Sequence, residues 1–330
     1  ELFYIQEVPG LATNILFLYN VDRQRRTERV RIPGIVTAVR ASSDGSFLAL
    51  KRLIHRNDVV PSGETVIYSL RTGKTDILPT PTGFLDFDIP TGEPVLVYET
   101  SAGITEYRPD NGSTRLIMEK RRYADTAVPG GTTMAFLSPD RRNTLVISGG
   151  GGNYSARLYG GRTSLPVSGI SSASETFWLN AHTFAFRSGA PGGFSVRRYD
   201  VRSRTAVTLL SSSLNTSLGY SPHSATLSFL NDQVICLHSV RDGKTMLTGI
   251  EGEDVSLSPP GNRFISIFNK RLFIVNIELV KKNELLMRRS WTAILTAYRE
   301  LALEKRYWEN EYSLDYIRRK IRLYTSLIDG

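Results

Sequence analysis

Thr65–Thr80 reads TVIYSLRTGKTDILPT. Its first half, TVIYS, is built of the β-branched and aromatic residues that suit a half-buried strand. Arg71-Thr72-Gly73-Lys74 then supplies turn chemistry, and TDIL opens a second run. The stretch is a β-hairpin, and its pattern returns along the chain. Leu16–Pro33, Gly103–Met118, Tyr154–Ser168, Ser195–Leu210, Gln233–Ile250 and, in a weaker form, Arg271–Met287 repeat it. Successive hairpins lie roughly 37 to 51 residues apart, the period of a four-stranded propeller blade.

A second pattern falls between the hairpins. Ser42-Ser43-Asp44-Gly45 precedes FLAL, Ser138-Pro139-Asp140 precedes TLVI, and Ser258-Pro259-Pro260-Gly261 precedes RFISIF. Each puts turn residues between two apolar runs, as a tight connection between the first and second strands of a blade requires. Weaker versions stand at Ile89-Pro90-Thr91-Gly92 and Leu179-Asn180-Ala181-His182. Two hairpins per period make four strands per period.

With these stretches, SSDGSFLAL, SPDRRNTLVIS and SPPGNRFISIF, the chain resembles the TolB-like and WD40-like β-propellers over residues 1–285. No Trp-Asp dipeptide closes the blades and no Gly-His pair opens them, which departs from eukaryotic WD40 proteins. The α/β domain that precedes the propeller in TolB is absent from this sequence. The resemblance implies a bacterial envelope protein working in a complex, periplasmic or cell-envelope-associated, with a cytoplasmic location as the alternative.

The 330 residues can bury a sizeable core, and seven blades plus a tail fit that length. The expected fold is all-β: a seven-bladed propeller of four-stranded antiparallel blades, with six blades as the alternative. A short C-terminal α-helical extension follows. Residues 1–33 carry three strands, read as the outer three of an incomplete blade or as a segment completing the last one. The exit of the third blade, Glu119–Gly131, is long and basic. After residue 285 the period changes. Trp291, Ile294, Leu295, Tyr298, Leu301 and Ala302 follow helical spacing, as do Leu314, Ile317, Ile321, Tyr324 and Ile328. Two helices, about 288–309 and 313–328, are expected in a tail of residues 286–330, separate from a propeller of residues 1–285.

No apolar run approaches the ~20 residues that span a bilayer. Cys236 is the single cysteine and lies in the apolar run VICL, so a buried structural thiol is its reading. His55, His182, His223 and His238 have no metal-ligand spacing among themselves or with Cys236, and no metal is expected. No G-x-S-x-G elbow and no phosphate-binding loop with its Lys occur; Ser148–Asn153, SGGGGN, reads as a mobile strand connection. Asp86 and Asp88 alternate on a strand, where paired carboxylates could work as acid and base. No partner for them is visible, so no catalytic residue and no cofactor are assigned.

The net charge is +9. Such a surface favours anionic partners. In a meandering blade the turns between strands one and two (A–B) and between strands three and four (C–D) emerge at the same end. The C–D turns contain Arg23, Arg25, Arg26, Arg71, Lys74, Arg202, Arg204, Arg241 and Lys244, and one A–B turn adds Arg141 and Arg142. Basic charge is thus expected to ring one face, with Arg56, Lys120, Arg121, Arg122 and Tyr123 on long loops at the other. In the tail, Arg318, Arg319, Lys320 and Arg322 are expected outward, while the apolar stripe packs on the propeller or docks a partner. The functional expectation is a non-enzymatic protein-interaction scaffold with a basic surface for one or more acidic protein partners, in a complex that is itself membrane-associated or not. Few aromatics interleave with the basic residues, so nucleic acid is disfavoured. The alternative is a carbohydrate-active or other enzyme with its site at the central channel.

Overall fold

In this computed structural model, the described residues are 2–7, 13–20, 23, 25–42, 44–54, 62–78, 87–88, 94–128, 131–150, 153–161, 163–190, 193–212, 218–231, 233–258, 261–268, 271–282, 284–303 and 311–329. Seven antiparallel sheets follow one another in chain order as the blades of a β-propeller. The six-bladed alternative is thereby set aside. The chain divides into two compact units, Glu1–Ala173 and Ser174–Gly330.

The first unit holds blades one to four. Blade one is three-stranded: β1 (Leu2–Glu7), β2 (Thr13–Asn20) and β3 (Arg25–Pro33). Blade two comprises β4 (Ile35–Ala41), β5 (Phe47–Ile54), β6 (Ser62–Ser69) and β7 (Thr75–Ile77). Blade three comprises β8 (Phe87–Asp88), β9 (Leu96–Glu99), β10 (Gly103–Arg108) and β11 (Ser113–Glu119). Blade four comprises β12 (Thr132–Leu137), β13 (Asn143–Gly150), β14 (Asn153–Gly160) and β15 (Thr163–Pro166). The run expected as a glycine loop is mostly strand, because Ser148, Gly149 and Gly150 end β13 and Asn153 opens β14. Gly149 has φ 147°, and a Cβ there would meet the Asn153 carbonyl oxygen at 2.0 Å, so the position demands glycine.

The second unit holds blades five to seven and the helices. Blade five comprises β16 (Ser172–Trp178), β17 (Thr183–Ala190), β18 (Gly193–Asp200) and β19 (Thr205–Ser212). Blade six comprises β20 (Gly219–Ser221), β21 (Thr226–Asn231), β22 (Val234–Ser239) and β23 (Thr245–Glu251). Blade seven is three-stranded: β24 (Asp254–Leu257), β25 (Arg263–Phe268) and β26 (Arg271–Asn276). Helices α1 (Ile277–Lys282), α2 (Glu284–Leu303) and α3 (Glu311–Asp329) complete the chain.

Register shifts recur in several antiparallel pairings, among them the first-to-second pairing of blade two at Val36/Ala38. The third-to-fourth strand pairings of blades three, five and six each shift once, at Ile104/Thr105, Val196/Arg197 and Val234/Cys236. The β2–β3 pairing shifts in the same way at Leu16/Phe17.

Blade strands are apolar on both faces. In blade two, Leu48, Leu50, Val66 and Tyr68 join Leu16 and Ile32 of blade one. Phe47, Ala49 and Ile67 point the other way, to Leu96, Tyr98 and Tyr107 of blade three. Successive side chains on a strand alternate faces, so a run such as FLAL feeds two cores at once. In the second unit, Phe229 and Cys236 face Phe194 and Val196 of blade five, while Leu230, Ile235 and Leu237 face Val255 and Phe264 of blade seven.

The Ser-led A–B turns share one hydrogen-bond pattern. The hydroxyls of Ser42, Ser138 and Ser258 accept from the amides five residues on: Phe47 at 3.1 Å, Asn143 at 3.0 Å and Arg263 at 3.1 Å. The fourth turn residue takes positive φ, 69° at Gly45 and 69° at Gly261. In blade four that place falls to Arg141, at φ 59°. A backbone link then ties the two turns of a blade together. Leu70, Val201 and Val240, each second in its C–D turn, donate to the A–B carbonyls of Ser46, His182 and Ala225 at 2.8, 2.8 and 2.9 Å.

Blade seven makes the same link, Ile277 N to Asn262 O at 2.9 Å, and then departs from the pattern. No fourth strand follows where the Arg271–Met287 hairpin was expected to continue. ELVKK carries no turn pair and is rich in helix formers, and the Asn276 side chain accepts the Glu278 amide at 2.9 Å as an N-cap, so the chain winds into α1. α2 then begins at Glu284, ahead of the expected 288, and the expected end near 309 falls outside the described residues.

The Ser hydroxyl is the side-chain acceptor for the amide five residues on in each of these turns. Ser138→Ala leaves the Asn143 amide without that acceptor, and an unmet donor costs about 1–2 kcal/mol. Urea unfolding of Ser138→Ala and Ser42→Ala should show that loss in both, with unchanged m-values.

Candidate partner-binding surface

The basic turns lie where the topology expects them. Arg71 and Lys74 sit in the β6–β7 turn, Arg202 and Arg204 in the β18–β19 turn, and Arg241 and Lys244 in the β22–β23 turn. All six side chains are exposed. Arg71, Arg202 and Arg241 occupy one equivalent place, directly after the linked residues Leu70, Val201 and Val240. The residue opening each turn caps it: Ser69 Oγ accepts the Thr72 amide, Asp200 Oδ1 the Arg202 and Ser203 amides, and Ser239 Oγ the Asp242 amide. Those amides hold the Asp200 carboxyl below the usual carboxylate range. The turns are therefore fixed in backbone and exposed in side chain, and Arg202 Nη2 lies 2.7 Å from His182 Nε2.

The remaining predicted residues behave differently. Arg25 and Arg26 open β3 rather than the turn, and the Arg26 guanidinium lies 5.0 Å from the centroid of the Phe17 ring. Arg142 is exposed, whereas Arg141 folds back onto the buried Glu106, with Nη1 to Oε2 at 2.8 Å. On the long exit of blade three, Arg121 is exposed but Tyr123 is fully buried. Its hydroxyl donates to Glu99 Oε1 at 2.9 Å, and burial beside that carboxylate drives its pKa up. Tyr123 is thus an anchor for the loop. Arg56, His55 and Asp86, and the side chain of Asp88, lie outside the described residues.

The tail requires a correction. Arg318 and Arg322 are exposed on α3 and Arg319 is half-buried, but Lys320 is 0% exposed. Its Nζ meets Glu251 Oε1, at the end of β23, at 3.0 Å, and lies 5.5 Å from the Tyr316 ring centroid. Helical spacing explains this. Ile317, Lys320 and Tyr324 stand at i, i+3 and i+7, so the lysine shares the inward face with two buried apolar residues. That face and the α2 residues Trp291 and Leu295 enclose Val234 of β22, with Leu247 of β23 alongside. The apolar stripe of the tail packs on blade six.

With this geometry in hand, comparison with known proteins gives one positive result. No protein-family model matches the chain, and no curated protein matches it. Solved structures do. A putative TolB from Agrobacterium tumefaciens is 13% identical over 81% of this chain and 99% of that one, with a TM-score of 0.50. The likeness is one of fold. Hydrazine synthase of Kuenenia stuttgartiensis is 12% identical over 83% of this chain and 97% of that one, with a TM-score of 0.52. TolB from Acinetobacter baumannii is 15% identical with a TM-score of 0.48; the match covers 74% of this chain and spans 62% of the length of that one. The chain shares the β-propeller fold with TolB proteins and with propeller enzymes alike.

Among the described residues, no group of three or more His, Cys, Asp and Glu could hold a metal ion. No described helix is long and apolar enough to cross a membrane. Cys236 is buried, and that burial pushes its thiol up to about 12.

Two predictions follow from the buried charges of blade six. Glu251 keeps partial contact with water, its side chain being 34% exposed, while Lys320 has none. Glu251→Gln removes the carboxylate that faces a fully buried ammonium and should cost about 3 kcal/mol in urea unfolding, whereas Lys320→Met leaves a carboxylate that water still reaches and should cost well under half as much. His238, 2% exposed, has Nδ1 2.9 Å from Thr245 Oγ1 and a buried Nε2 with no partner. Burial lowers its pKa, so the folded protein takes up this proton later than the unfolded chain as pH falls. Its contribution to stability is complete above the ordinary value of about 6.5 and is lost as pH drops below it. Urea midpoints at successively lower pH should therefore fall less in His238→Gln than in the parent.

Proposed function

We propose that this protein is a non-enzymatic interaction module that presents the basic turns of its blades to an acidic protein partner. The observation that carries this reading is the recurrence of an exposed arginine at one equivalent, backbone-fixed place in three blades: Arg71, Arg202 and Arg241. Lys74 and Lys244 follow it at equal spacing in two of them. A rigid turn lowers the ordering cost of binding, so long side chains on it are better placed than on a mobile loop. An isolated exposed ion pair contributes about 0–1 kcal/mol, so no single turn suffices. Binding arises from the turns of blades five and six together, both in the second unit, and weakens with salt.

Residues 1–285 carry the contact surface in this reading, and residues 286–330 brace blade six. The exposed Arg318 and Arg322 add a second, smaller basic strip. The resemblance of the Ser-led turns to those of TolB-like propellers supports a place in a cell-envelope complex.

The test is capture of a partner from extract of the source organism by the parent chain and by Arg202→Glu/Arg241→Glu/Lys244→Glu. All three side chains are exposed, so the variant should unfold at the parent's urea midpoint. A partner held at low salt by the parent and lost by the variant is expected. Equal capture by both would end the reading. Deletion of the tail is a poor probe, because removing Trp291 from its seat on Val234 alone costs about 3–5 kcal/mol. Arg318→Glu/Arg322→Glu tests the tail without that damage, and cell fractionation tests the envelope placement.

A further inference from the structure

The edge strand of blade one is dense in arginine. β3 reads RRTERVRIP, with Arg25, Arg26, Arg29 and Arg31 against a single acid, Glu28. Every residue from Arg25 to Arg29 is exposed, and so is Arg31. Arg31 Nε lies 2.8 Å from Glu28 Oε1, and the Arg26 guanidinium rests over the Phe17 ring. Arg25 and Arg29 take no ion pair among the described residues. The neighbouring strand β2, TNILFLYN, brings no charge of its own.

β3 also ends its sheet, whose order is β1-β2-β3. In an antiparallel ladder, alternate residues turn both N–H and C=O to the partner strand, and the residues between turn theirs to the other side. β3 pairs with β2 from Arg25 to Pro33, so its outer side carries a row of backbone groups that no other described strand meets. Such an edge is a template for a further strand. Charge on an edge can guard against that, but guarding does not account for four arginines. The last strands of the other sheets carry at most one arginine each. One of them, β19, is 8 residues long and has no charged residue at all. A comparable edge is thus left unguarded in the same chain. Like charges set opposite each other repel and opposite charges attract, so β3 rejects a second copy of itself and favours an acidic strand.

We propose that β3 accepts an extended, acidic segment of a protein partner as an added strand of blade one. Backbone hydrogen bonds along the outer side supply the pairing, and carboxylates opposite the arginines supply the selection. Arg26, Glu28 and Arg31 pair with Tyr19, Phe17 and Ile15, on the face turned away from the core at Leu16 and Ile32. Acidic residues at every second position of the incoming strand fall together on that face. Arg29 is the extra residue where the β2–β3 register shifts, and it stands beside them. This surface belongs to the first unit and is independent of the turns of blades five and six.

The experiment uses the full chain and three labelled peptides: alternating glutamate and threonine, the same with lysine for glutamate, and the glutamate peptide with its backbone N–H groups methylated. Binding is read by fluorescence anisotropy at low salt. The glutamate peptide should bind and the lysine peptide should not. Methylation keeps the charge but removes the ladder donors, and should weaken binding about tenfold or more. Arg29→Gln/Arg31→Gln should weaken it about tenfold while unfolding at the parent's urea midpoint, since both side chains are exposed. Arg202→Glu/Arg241→Glu/Lys244→Glu should bind the peptide as the parent does. Equal binding of the methylated peptide would show attraction by charge without an added strand and overturn the proposal. Binding unchanged in Arg29→Gln/Arg31→Gln, or lost in the blade five and six variant, would place the site away from β3 and overturn it too. So would failure of the glutamate peptide to bind.

Discussion

A blade of this protein has two apolar faces and cannot cover either by itself. Four antiparallel strands alternate their side chains, so FLAL at 47–50 sends Phe47 and Ala49 to one neighbour and Leu48 and Leu50 to the other. Within each unit the remaining features follow from that constraint. Successive blades must stack, the connections must stay short, and the polar backbone groups of the turns must be met within the turns themselves. The Ser hydroxyls that accept amides, and the links from C–D to A–B turns, are how the turns meet their own backbone needs.

The same links give the surface its character. A turn stitched at its second residue has a fixed backbone at its third, and in three blades that third residue is arginine. Where the chain departs from the scheme, the departure is informative. Blade seven makes the link at Ile277 and then goes helical, which sends α2 and α3 back onto blade six. Blade four keeps the Ser-led turn but has Arg141 at the glycine place, and that arginine is engaged with a carboxylate buried in blade three.

Much of the fold was legible because its signals are local. Hairpin period, turn residues and Ser-led connections all act within about ten residues, and they placed the blades and the basic turns. The SPHSAT turn at 221–226 escaped notice because its positive φ falls one residue late, at Ala225 (φ 50°), so the spacing no longer matches the other three. The Arg–Arg–Lys run of α3 misled for a different reason. As a run of charge it looks solvated, but its third member stands in register with Ile317 and Tyr324 and faces inward.

By itself the sequence determined the blade repeat, the all-β architecture with a helical end, and the ends of the sheets that carry the basic turns. Those depend on periodicity and on residues next to one another in the chain. Only the tertiary structure decided that Lys320 is buried on Glu251, that Tyr123 anchors its loop on Glu99, and that Glu106 gathers three arginines from two blades. In these cases the partners are brought together by packing between elements, 69 residues apart for Lys320 and Glu251 and 35 for Arg141 and Glu106. No local pattern encodes which charge will meet which once apolar faces have chosen their neighbours.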